Sequence, residues 1–106
     1  MEEKVVVLTI AFGDQAAAQK MAQQLVEHRL VACAQLLPIQ SIYRWKGKVE
    51  QENEVLLQAK TIATKLPEIE AFVLERHTYE VPEIVATEVV WGHTKYLEWV
   101  KESVVE

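Results

Sequence analysis

The hydrophobic positions change period along the chain, and each change marks an element. Val5 to Ile10 are apolar or β-branched at successive positions, the pattern of a strand covered on both faces. Gly13-Asp14 ends that run, and Asp14 is a good N-cap. Ala18, Met21, Ala22, Leu25 and Val26 then recur at helical spacing. They predict a helix over residues 15–29, with His28 and Arg29 at its negative end. A strand begins near Val31 and runs to Leu37. Pro38 cannot donate to a ladder, so it predicts an edge position or a bulge. The strand resumes at Ile39 and reaches Trp45. Lys46-Gly47 is a two-residue turn, and residues 48–62 form the return arm. Thr64 is placed to cap the next helix, with Pro67 in its first turn. Leu66, Ile69 and Val73 make that helix's buried stripe, Phe72 beside them, and it ends around Arg76-His77. Residues 77–83 form a loop, Ile84 to Trp91 another strand, and Gly92 stops it. Tyr96, Leu97 and Val100 pattern a short last helix, with Trp99 on its flank.

The order is β-α-β-β-α-β plus a final helix, in one domain over residues 1–106. This is the α+β, ferredoxin-like split βαβ arrangement. Right-handed crossovers put the two longer helices on one face of a four-stranded antiparallel sheet. The other face must meet solvent, the short helix or another chain. The return arm poses a problem of length. Lys48 to Thr61 is 14 residues without Gly or Pro, a reach of about 46 Å. A compact chain of this size has a radius of gyration of about 13 Å and is roughly 34 Å across. An overlong strand with a free edge needs a partner, and closed self-association supplies one. The alternative is a bulge or bend near Pro38 that folds the hairpin back on its own domain.

Composition narrows the function classes. The 11 basic and 16 acidic residues give a net charge of −5, with the basic ones scattered. That argues against a nucleic-acid partner, which needs clustered Lys and Arg. The start, MEEK, lacks the basic, apolar pattern of a secretory signal. The longest apolar stretch, Val5 to Phe12, is too short to span a bilayer, so no membrane partner is expected. Cys33 is the single cysteine; a lone thiol fits a reducing compartment, and the expectation is a cytoplasmic protein. Three glycines leave no phosphate-cradling loop. An acylphosphatase-type anion loop would need an arginine where this chain has Ala11-Phe12-Gly13-Asp14. No catalytic constellation emerges, and the protein is not expected to be an enzyme or to require a cofactor.

Several stretches together resemble the CutA family of divalent-cation tolerance proteins. They are Leu30-Val31-Ala32-Cys33-Ala34, Ser41-Ile42-Tyr43-Arg44-Trp45-Lys46-Gly47-Lys48 and Glu54-Val55-Leu56-Leu57-Gln58-Ala59-Lys60-Thr61. Two more follow in order: His77-Thr78-Tyr79-Glu80-Val81-Pro82-Glu83-Ile84 and Gly92-His93-Thr94-Lys95-Tyr96-Leu97-Glu98-Trp99. The resemblance implies a homotrimer of ferredoxin-like protomers with hairpins joining sheets between subunits, a plan similar to that of the PII signalling proteins. It implies a role in the response to divalent metal ions, with copper as the candidate cation. The family's usual His-Pro-Tyr reads His77-Thr78-Tyr79 here. Members described as binding copper use Cys and His side chains near the first strand and near this histidine. Those positions read Thr9 and Arg76 in this chain, leaving His77 as the metal candidate.

Each candidate side chain has two readings. His77 suits a metal ligand or a general base, and equally a helix cap or loop anchor. Cys33 lies in an apolar strand, where a free thiol is commonly a small buried hydrophobe. Glu50, Glu52 and Glu54 alternate and so share one face, opposite Tyr43, Ser41 and Ile39. They form a cation-collecting row or a solvated face, and Glu54 lies nearest the apolar part of the strand. Lys60 has the same parity and could pair with a carboxylate across a subunit boundary. Tyr43 and Trp45 suit an interface or a stacked ligand. Tyr79, Pro82 and Glu83 suit a cleft wall or a turn. A PII-like sensor that binds a small molecule or anion between subunits is the alternative function.

Overall fold

A computed structural model describes residues 3–105. The first two residues of the acidic start lie outside the described residues. The elements are β1 (Val5–Phe12), α1 (Gln15–Glu27), β2 (Cys33–Trp45), β3 (Lys48–Ile62), α2 (Leu66–Arg76), β4 (Ile84–Glu88) and α3 (Thr94–Ser103). The sheet order is β2-β3-β1-β4, and every neighbouring pair is antiparallel. This is the split βαβ order expected from the sequence.

Period-2 alternation sorts the sheet into two faces. Leu8, Ile10, Phe12, Val55, Leu57 and Ala59 point to the side covered by α1 and α2, where Ala18, Met21, Leu25, Ile69 and Val73 close the main core. On the opposite side Val5, Ala32 and Ile62 pack under Val100 of α3 and Val104, the cap residue that follows it. The short helix covers only that end. Further along the same face, Leu37 and Val85 are exposed.

Local chemistry explains most boundaries. Asp14 caps α1, its Oδ1 accepting from the Ala17 N–H at 2.8 Å. The helix stops at Glu27, two residues short of the expected end. Arg29 takes a left-handed φ of 57°, and the Arg29 and Leu30 N–H groups donate back to the Val26 and Leu25 carbonyls. That is a Schellman closure made without glycine. The turn at Lys46 (φ 50°) and Gly47 (φ 81°) has positive φ at both central residues, the type I′ geometry that matches strand twist.

Of the two readings of Pro38, the edge position holds, and three other expectations are corrected. No bulge forms at Pro38: the register runs unbroken from Cys33↔Lys60 through Pro38↔Val55 to Trp45↔Lys48. Pro38 is tolerated because β2 is the edge strand. The second strand begins at Cys33 rather than Val31, although the Ala32 N–H still reaches the Lys60 carbonyl at 2.8 Å. Thr64 does not cap α2. It sits in a 3₁₀ turn, Ala63–Lys65, and donates to Glu3 instead, while Pro67 does occupy the first turn of the helix. Finally, β4 ends at Glu88 and not at Trp91. Its partner β1 begins at Val5, whose carbonyl takes the last hydrogen bond, from Val89. Val90 and Trp91 then stand 93 % and 85 % exposed.

The hairpin is not folded back. A fully straight 15-residue β3 would reach about 50 Å at about 3.3 Å per residue, and twist shortens it. The molecule is 44 Å in its longest dimension and 25 and 22 Å in the others. Beyond Val55, the partner of Phe12, β3 has β2 as its only sheet neighbour among the described residues, so residues 39–54 project as a two-stranded ribbon.

Candidate functional site

The site forms where the ribbon leaves the sheet. Phe12 is the last residue of β1, and Glu54 lies one position past its partner Val55. With β1 gone, the loop 77–83 turns across the sheet end and fills the gap. His77 begins this loop as the C-cap of α2, its N–H donating to the Val73 carbonyl. Its ring stacks on Phe12, centroids 4.6 Å apart and planes 17° from parallel. His77 Nε2 lies 2.8 Å from the Ala11 carbonyl oxygen, and Nδ1 accepts from the Tyr79 backbone N–H at 3.1 Å. Tyr79 thereby comes to the opposite face of the sheet and donates its hydroxyl to Glu54 Oε2 at 2.7 Å.

Glu54 is the one carboxylate of the hairpin row that is buried, 9 % exposed. The Tyr79 phenol is held well above the ordinary tyrosine range, first by burial and then by its bond to Glu54. Gly13 makes this approach feasible. A Cβ there would lie 3.1 Å from the Tyr79 hydroxyl oxygen.

The expected face of the hairpin is present. Tyr43 opposes Glu50, Ser41 opposes Glu52 and Ile39 opposes Glu54. Tyr43 is also held above its ordinary value, by desolvation and then by Glu52. The ribbon and the loop bound an open groove of about 920 Å³ that includes Tyr43, Trp45 and Tyr79 together with Glu50, Glu52, Glu54, Glu80 and Glu83. Pro82 is half-buried in the same loop.

Cys33 and Lys60 are elsewhere. They are register partners at the other end of the sheet. Cys33 Sγ lies 3.5 Å from the Tyr96 hydroxyl of α3, and Lys60 Nζ donates to Gln35 Oε1 at 2.6 Å. The Tyr96 phenol is pushed up to about 12, first by its contact with Cys33 and then by burial. The sequence reading missed the Phe12–His77 stack, the Tyr79–Glu54 bond and the Tyr96–Cys33 contact. Only the parity of Glu54 hinted at the second. The others depend on where a loop and a helix dock.

The family model described as CutA1 divalent ion tolerance protein matches residues 5–103. The chain belongs to this family. Among CutA relatives, the divalent-cation tolerance protein CutA of Thermus thermophilus is 40 % identical over 102 residues, covering 95 % of this chain and 97 % of that protein. Human Protein CutA is 45 % identical over 86 residues, covering 80 % of this chain. The chain spans about half the length of the human and mouse proteins, at 48 % and 49 %. Among solved CutA structures, that of CutA1 from Oryza sativa superposes with a TM-score of 0.93 at 35 % identity, covering 97 % of this chain and 95 % of that one. The solved Thermus thermophilus protein gives 0.90 at 39 % identity, covering 93 % and 97 %. The CutA fold therefore accounts for the sheet, the three helices and the long hairpin.

Proposed function

We propose that the protein acts in divalent-cation tolerance as a homotrimer whose subunits are joined through the hairpin, in a PII-like arrangement. The observation that carries this reading is the ribbon over residues 39–54, which leaves its own sheet with open edges. Free strand edges of this length are normally paired or covered. Exposed Leu37, Val85, Val90 and Trp91 add apolar area that a second copy would bury. Size exclusion with light scattering tests the assembly. The expected particle has a mass close to three times 12.1 kDa; a monomer overturns the proposal.

Cations would meet this protein at the acidic groove. Its acidic lining is all carboxylate oxygen, suited to hard cations, and offers copper no imidazole or thiolate. Alternate residues of a strand are about 6.5–7 Å apart, too far for three of the row to chelate one ion. The association is therefore weak, electrostatic and screened by salt. Calorimetric titration with Mg²⁺, Mn²⁺ and Cu²⁺ at low and high ionic strength tests it. Weak heats that vanish at high salt and in Glu50→Gln/Glu52→Gln are expected; heats unaffected by either overturn it.

The groove's volume and three aromatic side chains favour a second reading, a small-molecule sensor. Its five carboxylates oppose an anion, so this reading narrows to cationic or neutral metabolites. Melting shifts across a metabolite panel test it, and a panel without any shift removes it. We place the protein in the cytoplasm on the strength of its unpaired thiol at Cys33.

A further inference from the structure

The donor and acceptor roles around His77 are forced by its partners. A backbone carbonyl only accepts, so Nε2, 2.8 Å from the Ala11 oxygen, carries the proton. A backbone N–H only donates, so Nδ1, 3.1 Å from the Tyr79 nitrogen, carries the lone pair. Both ring nitrogens are thereby used. The ring stacks on Phe12 at 4.6 Å and lies tilted against Tyr79 at 4.8 Å. A metal could bind only by displacing one of the two backbone contacts. Thr9 and Arg76 do not help a metal. Thr9 donates its hydroxyl to the Val85 carbonyl, and Arg76 lies over the Phe72 ring at 3.6 Å and donates to the Phe72 carbonyl.

We infer that His77 in this chain is a positioning residue rather than a metal ligand. As the neutral Nε2–H tautomer it ties the loop 77–83 to the end of β1 and so seats the Tyr79 hydroxyl on Glu54. The route is short. Nδ1 fixes the Tyr79 backbone, and the Tyr79 side chain spans the end of β1 to reach the one buried carboxylate of the ribbon. His77 thus couples the helix-covered core, through Phe12, to the groove. This inference is independent of the trimer and of cation binding at the groove.

Two measurements on the full chain test it. In protein carrying ¹⁵N-labelled histidine, the His77 imidazole should show a protonated Nε2 and an unprotonated Nδ1. A proton on Nδ1, alone or with one on Nε2, overturns the assignment. In a copper titration, His77→Ala should keep the stoichiometry and affinity of the wild type to within about twofold. Loss of one bound equivalent per chain overturns the inference, whatever the oligomer or the groove carboxylates do. The same variant separates positioning from general stability. Its Tyr79 phenol should ionise at lower pH than in the wild type, read as the absorbance difference against Tyr79→Phe, and His77→Asn, which keeps an acceptor near Nδ1, should recover part of the shift. An unmoved phenol titration in folded His77→Ala overturns the positioning role. Should that variant fail to fold, the tautomer measurement on the wild type still decides.

Discussion

The Tyr79 hydroxyl donates to Glu54 Oε2 at 2.7 Å, joining the loop after α2 to the base of the hairpin. It closes the place where β1 stops and β3 continues. Without it, a buried carboxylate would face the sheet end with no donor from the loop.

Removing that donor should therefore be costly. Hydrogen bonds to charged groups contribute about 1.5–3 kcal/mol, and the loss leaves a desolvated acceptor behind. Tyr79→Phe should lower the unfolding free energy, read from urea titration, by an amount in that range. Glu54→Gln should cost less, because the amide oxygen still accepts. A Tyr79→Phe protein with wild-type stability would show that the bond contributes nothing.

The tyrosines predict an alkaline limit. An unfolded tyrosine loses its proton near pH 10. Tyr79 and Tyr96 are raised in the folded protein, Tyr96 to about 12. Between pH 10 and 12 the unfolded chain therefore holds fewer protons on these residues than the folded one. Stability must fall as pH rises through that window, and it is unaffected by these groups below it. Unfolding midpoints at pH 9, 10 and 11, on wild type and Tyr96→Phe, check this. The decline should be shallower in the variant.

Arg29 is held at a left-handed φ of 57° at the end of α1. Glycine takes that conformation without the Cβ clash, at some cost in unfolded-state entropy. Arg29→Gly should stabilise by about 0.5–1 kcal/mol, seen as a raised melting temperature. Arg29→Val should do the opposite.

The open sheet face gives a test of assembly separate from the hairpin. Val85 pairs with Thr9 and lies on the face that α3 leaves bare. Val85→Asp would place a charge on the face that the proposed trimer would bury. The scattering mass of this variant should fall at dilutions that leave the wild type intact. An unchanged mass would put the contact elsewhere.

Much of the architecture was legible because local rules and the final packing agree. The unbroken run after Lys46-Gly47 marked β3 as residues 48–62. The two-residue turn fixed the hairpin register, so the cross-strand partners of Glu50, Glu52 and Glu54 follow from the turn's position alone. Asp14 was recognisable as a cap because its oxygen needs only an N–H three residues on. The errors fall where a distant segment decides. Val90 and Trp91 are good strand formers, yet β4 ends before them because β1 begins only at Val5. Thr64 is a fair cap by composition but is drawn to Glu3.

The candidate site divides in the same way. Periodicity alone assigned Glu54 to one face of the hairpin, since alternation along a strand is a property of the backbone. It could not say that Glu54, and neither Glu50 nor Glu52, would be buried, nor that Tyr79 would reach it. That depended on β1 stopping at Phe12 and on His77 stacking there, with each nitrogen committed to a backbone group. The sequence determined the elements, their order and the hairpin's excess length, because these follow from propensities and spacings within a few residues. The tertiary structure decided which side chains share the groove, because contacts between residues 12, 54, 77 and 79 exist only after the loop has crossed the end of the sheet.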